Sequence, residues 1–272
     1  MKIFKGMLFI ILYLVIYYFF QILFMIFGVA FVKVLETVST QGLNSTKAMG
    51  NALITSIIIS GTISFFIYWG ISYLRKQKFF KICNFKKVKF HYLIIALILG
   101  FTLNSINEYL VIQLLKFDIF KDALTKFMFM SEMITSTNTI IAILGVGIVG
   151  PIIEEVIFRG LIFKELEKMM PISLVIVVQG ILFGIYHLNL VQLIYTTLIG
   201  ILLGVSYILT KSLWVPIFIH IVNNISALFI SEDQRIINLP FFIISIIITG
   251  VCYMYFYKKR EKDDKKVNEN SV

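Results

Sequence analysis

Charge is scarce in this chain, and the larger part of it is positive. Asp, Glu, Lys and Arg make up 15% of the 272 residues, against about 25% in soluble domains, which excludes an ordinary water-soluble fold. Cysteine is nearly missing. Cys83 and Cys252 are the whole supply, one in a basic connection and one in the last apolar run, so there is no disulfide framework. No stretch has the length and mixed composition of a soluble domain, and no internal repeat is evident. The polar connections around 33–51 and 116–138 are short.

Apolar residues fill the space. They make up 59% of the chain, and the mean hydropathy is +0.92. A helix needs about 20 apolar residues to cross ~30 Å of hydrocarbon. The sequence offers about eight such runs, near 7–32, 52–74, 92–115, 139–163, 172–188, 191–209, 212–230 and 238–257. They lack strand-like alternation, and lipid satisfies no backbone polar group, so the expected fold class is all-α, a polytopic membrane protein. The run after Lys2 and Lys5 exceeds the 7–15 residues of a cleaved signal peptide and is read as a retained helix.

In that arrangement 19 of the 25 Lys and Arg fall on one side of the membrane and six on the other. By the positive-inside rule both termini are expected in the cytoplasm. The segment "RKQKFFKICNFKKVKFH" (75–91) then lies beside anionic headgroups. It has no folded module for nucleic acid, and no nucleic-acid partner is expected. The tail 258–272 is too polar to bury and is expected to be disordered. Richness in Ile, Lys, Phe and Asn suggests a bacterial source, hence a bacterial cell membrane.

The polar residues divide the chain. Residues 1–138 carry spans one to three and few ionisable groups, 139–230 carry spans four to seven, and 231–257 the last span. Glu154, Glu155, Arg159, His187 and His220 all fall in 139–230. "GVGIVG" (145–150) has the G-x-G-x-x-G spacing but opens no βαβ unit, so it reads as a helix-packing surface rather than a dinucleotide site. Gly180 with Gly184, and Gly200 with Gly204, have the spacing that lets membrane helices approach closely.

"PIIEEVIFRG" (151–160) places three charges where each costs about 2.5–3.5 kcal/mol. Glu155 and Arg159 are i, i+4 neighbours able to pair. Glu154 points about 100° away and is left without that explanation. The plain alternative is a structural polar knot. His187 ends "FGIYH" in the fifth span, and "HIVNN" in the seventh puts His220 and Asn224 on one face. Counted from the cytoplasmic ends, Glu154, His187, Asn224 and His220 lie roughly 15, 24, 20 and 14 Å deep, one layer of the bilayer. A carboxylate, two imidazoles and an amide there suit hydrolysis by activated water. Glu154 can take the water's proton and His187 hold it, while His220 and Asn224 donate to the oxyanion, a contact worth about 3–4 kcal/mol per donor. A divalent metal such as zinc, on Glu154, His187 and His220, is the other use of these groups, although no H-E-x-x-H helix is present.

Read together, Glu154-Glu155-x-x-x-Arg159, Phe183-x-x-x-His187 and His220-x-x-x-Asn224 resemble the signature of the CPBP family of intramembrane proteases. This is the CAAX prenyl endopeptidase and bacteriocin-processing group, also called Abi. The resemblance covers about 139–230. It implies a membrane endopeptidase, a hydrolase in which Glu154 and His187 activate water, His220 and Asn224 bind the oxyanion, and Glu155 and Arg159 support the site. Phe183 is expected to pack its helix. Members are described as metalloproteases, although a metal-free glutamate mechanism has been argued for them. The partners implied are the lipid bilayer and a peptide or lipidated protein substrate. Two rival readings use the same residues: a non-catalytic immunity or binding protein, and a transporter or proton relay. The latter is disfavoured by the lack of inverted repeats or paired broken helices.

Overall fold

The computed structural model describes residues 2–38, 44–229 and 238–269. The middle of the 33–51 connection, the expected boundary at 230–231 and the last residues of the tail lie outside the described residues. Among those described there is no strand, and the chain is a polytopic all-α membrane protein. The helices are α1 (Lys2–Val38), α2 (Ser45–Leu74), a single turn α3 (Phe79–Ile82), α4 (Phe90–Leu114) and α5 (Lys121–Ser136). They continue as α6 (Thr139–Leu166), α7 (Ile172–Tyr186), α8 (Leu190–Thr210), α9 (Trp214–Phe229) and α10 (Leu239–Glu269).

Of these, α1, α2, α4, α6, α8 and α10 are long and apolar enough to cross a membrane. The fifth and seventh expected spans are the shorter apolar helices α7 and α9. Fifteen residues of α7 rise only about 22 Å, less than the ~30 Å hydrocarbon. A helix that starts at one interface therefore ends inside the bilayer, and the residue that ends α7 is His187.

Two expectations change. The connection 116–138 is not a plain loop but contains α5, which buries Leu124 and Met133 and exposes Lys121, Asp122, Lys126 and Glu132. The tail, expected to be disordered, continues α10 as helix to Glu269. Its charges alternate at helical spacing: Lys265 pairs with Glu261 at 2.8 Å and Arg260 with Asp264 at 3.5 Å. Lys211 at the end of α8 also reaches Asp264, at 2.5 Å. Polar residues can thus extend a helix by pairing along it where burial offers nothing.

Small residues set how closely the spans approach. In "GVGIVG", a side chain on Gly145 would strike Ile54 of α2, and one on Gly147 would come within 2.9 Å of Ile225 of α9, so packing is what these glycines do. Gly180, Gly184, Gly200 and Gly204 likewise seat α7 on α8. A Cβ on Gly200 would stand 2.8 Å from the Cα of Gly180, backbone that cannot turn aside. Gly200→Ala is therefore expected to separate the two helices at a cost of about 1–3 kcal/mol, read as a lower unfolding midpoint in detergent. Gly250, with nothing within 4 Å of its would-be Cβ, should accept alanine without loss and serves as the control.

Candidate active site

The site is built on a helix whose hydrogen-bond ladder shifts twice. In α6, residues Ile143–Val149 and Val156–Ile162 are π-helical, and the α-helical turn Gly150–Glu155 lies between them. Such wide turns inside α-helices are frequent at functional sites. In the first, the N–H of Gly150 bonds five residues back, to the carbonyl of Gly145. The next donor in that ladder belongs to residue 151. It is proline, which has no N–H, so the carbonyl of Val146 is left free within the helix. The side-chain amide of Asn224 donates to it at 3.0 Å.

Glu154 and Glu155 end the intervening turn and face different surroundings. Glu155 is fully buried. Its Oε1 accepts from Arg159 Nη1 at 2.7 Å and lies 3.0 Å from His220 Nδ1. Arg159, also fully buried, gives its Nη2 to the carbonyl of Gly200 at 2.8 Å, and its guanidinium lies over the Phe183 ring at 4.7 Å. The close seating of α7 on α8 brings that carbonyl within reach. The expected i, i+4 pair is therefore present, and it forms the centre of a larger knot.

Glu154 stands outside the knot. Its side chain is 15% exposed, and Oε2 lies 3.7 Å from His220 Nε2, too far for a direct hydrogen bond. His220 thus presents one ring nitrogen to each glutamate. Since Glu155 is a carboxylate paired with a guanidinium, it accepts, and Nδ1 of His220 is the donor.

His187 is the cap residue of α7, and its Nδ1 lies 2.9 Å from the Phe183 carbonyl. A carbonyl only accepts, so Nδ1 carries a hydrogen, and in the neutral ring Nε2 keeps its lone pair. The chain then turns through Leu188 in the left-handed region, φ 52°, to Asn189, whose side chain accepts from Val191 and Gln192 N–H and caps α8. Phe183 joins the parts: its ring centre is 4.9 Å from that of His187 and 5.7 Å from that of His220, edge-on to both. It packs its helix as expected, and it also forms the apolar wall between the two imidazoles.

The structure therefore brings Glu154, Glu155, Arg159, Phe183 and His220 into one cluster, with His187 attached through Phe183. Asn224 shares the His220 face of α9, with its nitrogen on Val146 and its oxygen accepting from Asn223 at 3.1 Å. Among the described residues no group of three or more His, Cys, Asp or Glu stands together as a metal-binding set.

Several neighbours were not singled out from the sequence. Gln179, fully buried, donates to the carbonyls of Ile176 and Gly200, each at 2.8 Å, and so shares the Gly200 acceptor with Arg159. Tyr17 and Tyr18 of α1 lie tilted against Tyr186, with ring centres 5.9 and 5.1 Å from it, and the Tyr18 hydroxyl donates to the Tyr186 carbonyl. Asn107 of α4 joins Asn223. One signal was visible: "NSINE" (104–108) is a polar patch in an apolar span.

Residues 136–226 match the family model described as type II CAAX prenyl endopeptidase Rce1-like. That segment contains every motif residue named above. YdiL of Bacillus subtilis (strain 168), named as a candidate membrane peptidase, is 40% identical over 78 residues, 29% of this chain and 32% of that protein. The membrane-embedded CAAX protease MroQ of Staphylococcus aureus (strain USA300) is 31% identical over 85 residues, 29% of this chain and 34% of that protein. The matched stretch thus spans about a third of the length of these curated relatives. No solved structure matches. The resemblance read from the three motifs is borne out over this segment.

Proposed function

We propose that this chain is an intramembrane endopeptidase of the CAAX-protease type, which hydrolyses a peptide bond of a membrane-associated peptide or lipidated protein. The observation that carries the reading is the position of Glu154. Arg159 bonds both Glu155 and the Gly200 carbonyl, and Gln179 bonds the same carbonyl, as the members of a structural knot would. Glu154 takes no hydrogen bond in that knot and remains partly exposed beside His220.

The chemistry follows from the donors and acceptors. Water between Glu154 and His187 Nε2 gives a proton to the carboxylate as its oxygen attacks the scissile carbonyl carbon. The C=O electrons move onto oxygen. His220 Nε2–H and the second N–H of Asn224 donate to that oxyanion. In this step His220 donates from both ring nitrogens, Nδ1 to Glu155 and Nε2 to the oxyanion. As the tetrahedral intermediate collapses, the C–N bond breaks and Glu154 returns its proton to the leaving amine. Glu155 and Arg159 hold His220 in place. No step is routed through a metal.

The membrane orientation belongs to the same proposal, with both termini cytoplasmic in a bacterial cell membrane. Arg75 at the end of α2 pairs with Glu165 at the end of α6 at 2.7 Å. Ser212 donates to the Lys86 carbonyl at 2.6 Å. These contacts support placing the basic segments on one side.

The test is direct. The purified protein in liposomes is given membrane-anchored peptides, and products are identified by mass spectrometry. The expected result is cleavage that persists in a metal chelator. Cleavage lost on chelation and restored by zinc would overturn the water step written here. Ion flux without cleavage would overturn the peptidase.

A further inference from the structure

We propose that Asn107, in the third span and outside the segment that carries the motifs, is a positioning residue that sets which way the Asn224 amide faces. The proposal rests on the peptidase reading above. Asn107 Nδ2 donates to Asn223 Oδ1 at 3.1 Å, Asn223 Nδ2 donates to Asn224 Oδ1 at 3.1 Å, and Asn224 Nδ2 donates to the Val146 carbonyl at 3.0 Å. The chain has a direction. Asn223 and Asn224 each accept through oxygen and donate through nitrogen, so a donor at Asn107 holds both amides in one polarity, while Asn107 Oδ1 is itself buried without a partner.

That direction matters because a side-chain amide can turn over. Its two ends are nearly the same in size and opposite in hydrogen-bonding role. Turned over, Asn224 would put its oxygen against the Val146 carbonyl and present an acceptor where negative charge develops. Held as it is, it gives one N–H to Val146 and keeps the second for the oxyanion. Val146 is available because Pro151 lacks an N–H, so three elements converge: the proline in α6, the Asn pair in α9 and Asn107 in α4.

The anchor is firm. Asn107 and Asn223 are both buried. At Gly100, two turns before Asn107 on the same face of α4, a Cβ would collide with Val222 and stand 2.9 Å from the Ile219 carbonyl. Helix α4 is thereby pressed onto α9, and the residue facing Asn223 is fixed.

A double-mutant cycle separates this from a merely structural bond. Asn107→Leu keeps the volume and removes the donor. It is expected to lower kcat about tenfold, a fraction of the 10²–10³ for losing an oxyanion donor, with KM within about twofold and an unchanged unfolding midpoint. Combined with Asn224→Ala it should cleave no more slowly than Asn224→Ala alone, because it acts only through Asn224. If Asn107→Leu does not accumulate in the membrane, Asn223→Ala carries the same cycle. Multiplying effects, a change in KM alone, or full activity in the single variant would each overturn the proposal. Full activity there, with Glu154→Gln inactive, sinks only the role of Asn107. A wild-type protein that does not cleave sinks both readings.

Discussion

Glu154→Gln abolishes cleavage in the expected result, lowering kcat by about 10²–10⁴-fold while leaving the fold intact. Glutamine has the shape of glutamate and cannot accept the water's proton. The surroundings of Glu154 make this a clean substitution: its nearest charged partner, His220 Nε2, is 3.7 Å away, so no close hydrogen bond is lost. The unfolding midpoint in detergent should match wild type, and KM should change little, since the carboxylate acts on water rather than on the peptide. Glu155→Gln is the contrast. It weakens a buried ion pair at 2.7 Å and the contact to His220 Nδ1 at 3.0 Å, so stability and rate should fall together. Equal destabilisation by the two substitutions would place Glu154 in the knot and remove the base from the mechanism. A Glu154→Gln protein that cleaves at the wild-type rate would do the same.

Local spacing made the core of the site legible. The Glu155–Arg159 pair follows from i, i+4 geometry, and the glycine faces of α7 and α8 follow from their four-residue interval. Glu154 stood out because no partner at helical spacing explained it. Other features needed the folded chain. Arg159 reaches the Gly200 carbonyl across 41 residues, which requires the close approach of two other helices. The π-helical turns of α6 shift the faces that a straight helix would present, so the partner of Asn224 could not be projected from the sequence. That partner becomes intelligible once Pro151 is set against a ladder running five residues back. The motif residues all lie in 139–230, whereas α1 brings Tyr17 and Tyr18 to Tyr186 and α4 brings Asn107 to Asn223. Their spans read as ordinary apolar helices because one or two polar side chains hardly alter a window of hydropathy.

Arg159→Met is expected to have the largest effect on stability, about 3–5 kcal/mol, enough to keep most of the protein from accumulating in the membrane. The guanidinium makes no contact with solvent. Removing it leaves Glu155 charged and buried, the Gly200 carbonyl with one donor fewer, and the Phe183 face without its cation. Most of the loss comes from the stranded carboxylate rather than from the missing attraction, since a buried charge without a partner costs more than the pair contributes. The double variant Glu155→Gln/Arg159→Met removes both charges and should regain a large part of the lost stability, measured as the unfolding midpoint in detergent. Activity should not return with it, because His220 then lacks the carboxylate at Nδ1 that holds its ring. Stability and catalysis would separate in that one protein. A double variant as unstable as Arg159→Met would instead mean that the bonds to Gly200 and Phe183, not the charge of Glu155, are what the arginine supplies.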